Sequence, residues 1–167
     1  MTSTPTGAAR RALLRILVTV LAVTAPLLAT GTARAASGSV DGREAAVLER
    51  INDVRASYGL APFARHRKLS RAADHHSARM ARARVVAHQV WGEGGLGARL
   101  RWAIGGAKAG EVLYWGRGGV RSATIVRAWM NSPGHRAILL SGEFTRVGIG
   151  LRPGSGGLYA TVDVAAR

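Results

Sequence analysis

The chain has 167 residues, with 24 lysines and arginines against nine aspartates and glutamates, and no cysteine. The absence of cysteine excludes disulfides and thiolate metal ligands, so packing must supply the stability and any metal must be held by histidine and carboxylate. The formal net charge of +15 attracts polyanions. No nucleic-acid-binding motif accompanies this charge, so we expect no specific nucleic-acid partner.

The first 35 residues have the pattern of a secretory signal peptide. Arg10 and Arg11 precede an apolar run from Ile16 to Leu28, and Ala33-Arg34-Ala35 supplies a small-x-small cleavage site. The arginine pair also resembles a weak twin-arginine signal, but the general secretory (Sec) route is the preferred interpretation. We therefore expect a secreted protein.

Cleavage at this site leaves residues 36–167, a chain of 132 residues that has the size of one domain. Four arginines leave with the signal segment, so 20 basic residues remain against nine acidic ones, a net charge of +11. We interpret this charge first as a solvated arginine-rich surface. For an exported monomer, anionic polymers or lipids of the cell envelope are the nearest partners.

Two helices are predicted in the first half of the domain. After a polar leader at 36–43, apolar residues at helical spacing predict a helix from Glu44 to Tyr58, which Gly59 ends. A second helix is predicted from Leu69 to Arg84. His76 lies on its apolar face, which favours a hydrogen-bonded core histidine over a metal ligand.

In the segment after the second helix, apolar residues no longer recur at helical spacing. This segment contains His88, which we expect to be partly buried among its apolar neighbours. The run from Gly92 to Gly97 formally matches a dinucleotide-binding pattern, but it lacks the required strand, helix and second parallel strand. We therefore interpret it as a flexible loop, followed by a short helix from Ala98 to Ala103.

A break between two helices is the most distinctive local feature. The apolar period of a helix from Ser122 to Met130 stops at Asn131, and Ser132 then stands as N-cap with Pro133 at the first position of the next helix. This arrangement places His135 in the first turn of a rigidly held segment.

Three strands complete the pattern. Residues from Glu111 to Trp115 are β-prone, and two further strands from Phe144 to Leu151 and from Leu158 to Val164 are joined by a loop of turn formers at 152–157. Helices grouped around such strands predict an α+β fold, an α/β/α sandwich with a small antiparallel sheet between helices.

Five stretches in this order resemble the CAP superfamily of cysteine-rich secretory, antigen 5 and pathogenesis-related 1 proteins, in its cysteine-free bacterial branch. The resemblance covers residues 44–167, and its most specific part is Trp-Met-Asn-Ser-Pro-Gly-His-Arg. The stretches are Leu48–Arg55 with Gly59–Pro62, Leu69–Met80, His88, Ala109–Glu111, and Trp129–Arg136 with Val147–Gly150.

The resemblance implies an α/β/α sandwich with a cleft lined by a tetrad of histidines and acids. His88, Glu111 and His135 match three of the four positions, and Ser132 stands where larger eukaryotic members have an acid. Val112 also departs from the family pattern, which usually has asparagine after the Gly-Glu pair.

These residues allow more than one kind of chemistry. The imidazoles of His88 and His135, with Glu111 nearby, can hold a divalent metal such as zinc with an open position. Alternatively, Glu111 and His135 can form the acid/base pair of a hydrolase, with Ser132 as a candidate nucleophile. A buried polar network without catalysis is the third interpretation. We expect an exported protein at the envelope or outside the cell, whose cleft takes a divalent metal or a small-molecule or lipid ligand.

The signal pattern predicts that the secreted protein begins at or near Ala36, because signal peptidase cleaves after a small-x-small triplet such as Ala33-Arg34-Ala35. Amino-terminal sequencing of the protein recovered from the medium or envelope measures this directly. An intact N-terminus retained in the membrane would contradict the prediction.

Overall fold

The computed structural model describes residues 40–117 and 119–167, in which five helices surround a four-stranded sheet. The predicted signal peptide and residues 36–39 of the leader lie outside this part of the chain. The helices are α1 Val40–Ser57, α2 Arg67–Ala83, α3 Leu96–Ile104, α4 Ser122–Met130 and α5 Pro133–Leu139. The strands are β1 Ala64–Arg65, β2 Ala109–Gly116, β3 Arg146–Gly154 and β4 Gly157–Ala165. None of the helices described is both long and apolar enough to cross a membrane.

The sheet has the strand order β1-β3-β4-β2. β4 pairs antiparallel with both β3 and β2, which confirms the predicted antiparallel core of the sheet. β1 adds a parallel edge of two residues next to β3, and the sequence did not predict it. Helices α2 and α3 cover one face of the sheet, and α1, α4 and α5 pack on the other. This is the predicted α/β/α sandwich.

Several predicted boundaries need correction. α1 begins at Val40, so residues 40–43 of the predicted polar leader belong to the helix. α3 begins at Leu96 and takes over the end of the predicted glycine-rich loop. β3 continues to Gly154 and β4 starts at Gly157, which reduces the predicted loop at 152–157 to a tight turn. Both strands extend because ladder pairing continues to the pair Gly154 and Gly157.

The larger core lies between the sheet and helices α1, α4 and α5. Trp129 of α4 is its largest fully buried side chain, and its Nε1 donates a 2.8 Å hydrogen bond to the carbonyl of Leu113 in β2. The indole also packs edge-on against Tyr114. Buried Leu139 anchors α5 at its other end. The turn that carries His135 is thus held on both sides, as its flanking apolar residues predict.

On the opposite face, α2 lies unusually close to β3. A Cβ added at Gly148 would overlap the backbone of Leu69, and one added at Gly150 would overlap the backbone of Asp74. The hydroxyl of Ser77 donates a 2.9 Å hydrogen bond to the carbonyl of Gly150 and can accept one from the Thr161 hydroxyl, which lies 2.8 Å away. The two glycines therefore allow backbone-to-backbone contact between helix and strand.

Replacing the second of these glycines tests that contact. Gly150→Ala should lower the free energy of unfolding by about 1–3 kcal/mol, since the new methyl group must displace α2 from the sheet. Urea denaturation measures the loss. The matched control is Gly97→Ala in α3, whose new Cβ meets no atom within 4 Å and should stabilise the helix by about 0.5–1 kcal/mol. Equal effects of the two substitutions would contradict the proposed close contact.

Candidate functional site

The candidate site is built around the buried carboxylate of Glu111. Glu111 is the third residue of β2, and only 3% of its surface is exposed. Its side chain points to the face of the sheet that carries α2 and α3, whereas its neighbour Val112 fills the larger core on the other face. Val112 thus serves packing where family members usually have asparagine. A buried carboxylate is costly unless charges or hydrogen bonds compensate it, so its partners define the site.

Arg99 of α3 is the principal charge partner of Glu111. Its side chain is 7% exposed, and Nη2 donates hydrogen bonds to Glu111 Oε2 and, at 3.4 Å, to the carbonyl of His88. The sequence analysis missed Arg99 among the many arginines of the chain. One feature of the sequence could have indicated that Arg99 is buried: it lies in a short helix beside the apolar residues Leu96, Leu100 and Ala103.

His88 connects the buried carboxylate to solvent. Its Nδ1 lies 2.8 Å from Glu111 Oε1, while 64% of its side chain is exposed. His88 is therefore more exposed than predicted, because the loop carries the ring outward and only its Nδ1 edge meets the buried acid. A carboxylate only accepts, so Nδ1 carries the hydrogen in this bond and Nε2 faces away from the acid.

His76 confirms the prediction of a hydrogen-bonded core histidine. It is fully buried on α2; its Nδ1 donates to Glu93 at 2.8 Å, and its Nε2 lies 3.0 Å from the carbonyl of Ala87. Nε2 is also 3.7 Å from Glu111 Oε2. Glu93, in the glycine-rich loop, is a further member of the network that the sequence analysis missed.

Asp163 adds a second buried acid beside Glu111. The two residues face each other across the β2–β4 ladder, and Asp163 is fully buried. Burial raises the pKa of Asp163 well above its usual value; the negative charge of Glu111 raises it further, and Arg99 opposes the shift. The carboxyl groups of Glu93, Glu111 and Asp163 thus lie close to the guanidinium of Arg99 in one region of low dielectric, and Arg79 adds a second guanidinium beside Glu93.

His135 lies near His88, although no hydrogen bond joins it to Glu111 among the described residues. Partial burial lowers the pKa of His135, and the nearby charge of His88 lowers it further. The structure therefore pairs Glu111 with His88, and the predicted acid/base pair of Glu111 and His135 stays a prediction. Ser132 occupies the N-cap position of α5, but its hydroxyl makes no capping hydrogen bond, so it does not have the capping role expected of its side chain.

The donor set limits the kind of metal site that is possible. Within the described ranges, no group of three or more histidine and acidic side chains is arranged to hold one metal ion. The carboxylate of Glu111 is engaged by His88 and Arg99. The prediction that His88 and His135 hold a metal therefore stays a prediction.

Comparison with known proteins identifies the family. The model of the CAP family, described as the cysteine-rich secretory protein family, matches residues 48–164. The chain belongs to this family. A curated relative, uncharacterized protein YkwD of Bacillus subtilis (strain 168), is 33% identical over 122 residues. The match covers 72% of this chain and 47% of YkwD, so the CAP chain spans about half the length of that relative.

Solved structures show the same fold. An extracellular protein of Bacillus anthracis with an SCP domain is 25% identical, with a TM-score of 0.68 over 76% of this chain and 41% of its own. An outer surface protein of Borrelia burgdorferi is 18% identical, with a TM-score of 0.70 over 77% of this chain and 96% of its own. NaASP2, solved with Zn²⁺, is 14% identical, with a TM-score of 0.54 over 73% of this chain and 78% of its own.

The raised pKa of Asp163 predicts a pH dependence of stability. The folded state keeps this proton to higher pH than the unfolded chain, so the free energy of unfolding should fall as pH rises from the ordinary value of 3.8 to the raised pKa. Above that pKa the loss is complete. Asp163→Asn cannot ionise and should lack this decline, as measured by urea unfolding across a pH series.

The same chemical change at an exposed site is the control. Asp53→Asn on the surface of α1 should leave the pH profile parallel to that of the parent, because its side chain is 62% exposed. If the Asp163→Asn profile also ran parallel to the parent, burial would not be raising the pKa of Asp163.

Proposed function

We propose that this CAP-domain protein is exported and acts as a binding module at the cell envelope or outside the cell. Its binding site is the histidine site, formed by His88, Glu111 and His135. The observation that carries the proposal is the 2.8 Å hydrogen bond between exposed His88 and buried Glu111. The extracellular and outer-surface descriptions of structural relatives support the location.

This hydrogen bond prepares His88 to bind a ligand through Nε2. A carboxylate that accepts from one ring nitrogen fixes the tautomer, orients the ring and increases the basicity of the other nitrogen. Arg99 holds the carboxylate in place from the buried side. Because most of the His88 side chain faces solvent, a ligand reaches Nε2 without rearrangement of the core.

His135 is suited to act with His88 on a divalent ion such as zinc. Burial lowers its pKa, which favours the neutral imidazole with a lone pair available for coordination. A bound zinc ion would act as a Lewis acid that anchors an anionic group of a small-molecule or lipid ligand. The structure of a distant relative, NaASP2, with Zn²⁺ is consistent with this chemistry.

Zinc titration of tag-free protein tests the proposal. Zinc should bind to the parent, and His88→Ala or His135→Ala should abolish binding, because each removes one of two protein ligands. Glu111→Gln should weaken binding by about 10- to 100-fold, since it weakens the orienting hydrogen bond. Isothermal titration calorimetry gives the dissociation constants, and circular dichroism checks that the variants fold.

His75→Ala is the matched control, because His75 is exposed on α2 and has no contact with Glu111 among the described residues. It should bind zinc like the parent. Zinc binding that is equally weakened in the His75 and His88 variants would show non-specific coordination, and absence of binding in the parent would overturn the metal site.

The same hydrogen bond also supports a second function, a hydrolase in which His88 is the general base. A carboxylate that orients an imidazole is the arrangement such a base requires. The buried, engaged Glu111 would then act through His88 rather than on substrate. Ser132 makes no hydrogen bond to either imidazole within the described residues, so water is the better nucleophile.

A substrate screen separates these functions. Peptide, ester, glycan and nucleic-acid substrates should show no turnover by a pure binding module. Turnover that disappears in both His88→Ala and Glu111→Gln would favour the hydrolase. We further propose that the protein is monomeric and that its arginine-rich surface contacts anionic envelope polymers or lipids without sequence-specific nucleic-acid binding.

A further inference from the structure

A cavity of about 570 Å³ lies between α2, the glycine-rich loop and α3. We call it the arginine cavity, since Arg71, Arg79 and Arg99 line it together with Trp102. Its volume is in the range of sites for small organic ligands. Neither His88 nor His135 is among its lining residues, so it is a different cavity from the histidine site, although Arg99 contacts both.

The charge of the arginine cavity favours an anion. Three guanidinium groups face it against the single carboxylate of Glu93. That carboxylate is already compensated, because it accepts from buried His76 at 2.8 Å and lies 3.9 Å from the Nε atoms of Arg79 and Arg99. Glu111 balances the charge of Arg99 from behind the cavity, and Glu93 balances a second guanidinium, so an entering anion meets a lining that stays positive by one charge.

Arg99 carries donors that the protein does not use. Its side chain is more than nine-tenths buried, and only Nη2 makes hydrogen bonds, to Glu111 and to a backbone carbonyl, while Nε faces Glu93 Oε1 at 3.9 Å, beyond hydrogen-bond distance. Within the described part of the chain, Nε and Nη1 of Arg99 and Nε of Arg79 have no hydrogen-bond partner. Buried donors without acceptors are costly, and an oxyanion in the cavity would supply acceptors for them.

Trp102 gives the cavity an apolar wall. Its indole is about half exposed, and the guanidinium of Arg71 lies 5.5 Å from the ring centroid. This cation–π contact keeps Arg71 beside the ring and directs its charge to the same space. A flat or ring-shaped group can pack on the remaining indole surface while its charged end meets the arginines.

We propose that the arginine cavity binds a phosphate monoester that carries a ring. Arg71, Arg79 and Arg99 hold the phosphate, and Trp102 packs against the ring. A phosphate monoester fits better than a carboxylate, because it brings up to two negative charges and three acceptor oxygens to three guanidinium groups. Soluble phosphate esters and phosphorylated lipid headgroups share this chemistry.

Calorimetric titration of the purified protein with phenyl phosphate, inorganic phosphate and phenol tests the proposal. Phenyl phosphate should bind, inorganic phosphate should bind about tenfold more weakly, and phenol should give no heat, because the phosphate anchors and the ring adds packing. Arg71→Ala should weaken phenyl phosphate about tenfold or more. Trp102→Ala should remove the preference for phenyl over inorganic phosphate.

Two control variants make the same kinds of substitution outside the arginine cavity. Arg82→Ala removes the same charge from α2, and Trp91→Ala removes an indole that is 96% exposed; neither residue lines the arginine cavity. Both should bind phenyl phosphate like the parent. His88→Ala should also retain binding, while Arg71→Ala should retain zinc binding, so that failure of one site is distinguishable from failure of the other.

Vesicle sedimentation identifies the source of the ligand. Binding to phosphatidylcholine vesicles that contain a phosphatidylinositol monophosphate, lost in Arg71→Ala, would assign a lipid headgroup. Binding of phenyl phosphate without vesicle binding would assign a soluble ester. The proposal is overturned if phenyl phosphate does not bind the parent. It is also overturned if Arg82→Ala weakens binding as much as Arg71→Ala, which would attribute binding to net charge.

Discussion

The contact between α2 and β3 is the constraint on which this face of the molecule depends. The helix backbone lies against the strand at Gly148 and Gly150, where any side chain would collide with the backbone of α2. Two buried hydrogen bonds of the Ser77 hydroxyl stabilise this contact. Because this contact fixes the position of α2 on the sheet, the polar residues of α2 reach β2 and the loop before α3. The core histidine His76 and the cavity residue Arg79 both owe their positions to this contact.

Arg99 joins the two proposed sites electrostatically. Its Nη2 compensates Glu111, which orients His88, and its remaining donors face the arginine cavity. In a region of low dielectric a single guanidinium therefore affects an imidazole on one side and an anion on the other. Burial and then the charge of Glu111 raise the pKa of nearby Asp163, and Arg99 opposes that shift.

Local sequence patterns predicted much of the fold, because the forces that form these elements act between near neighbours. The apolar stripe of α2 and the turn residues between β3 and β4 are signals of this kind. β1 has two residues and exists only because β3 lies beside it, so no local pattern indicates it. The sequence did not predict the first turn of α1, because residues 40–43 add little to the helical spacing of apolar residues that indicates the rest of the helix.

The sequence by itself determined the family, the α/β/α class, and the residues His88, Glu111 and His135 as the candidate site, since the ordered motifs carry that information. Only the tertiary structure decided that the acid pairs with His88 and Arg99, and that Arg99 also faces a cavity. The physical reason is that α3, β2 and the loop before α3 meet only after packing. Packing of these elements buries Arg99, and the apolar residues beside it in the sequence do not indicate which acid or which cavity its guanidinium meets.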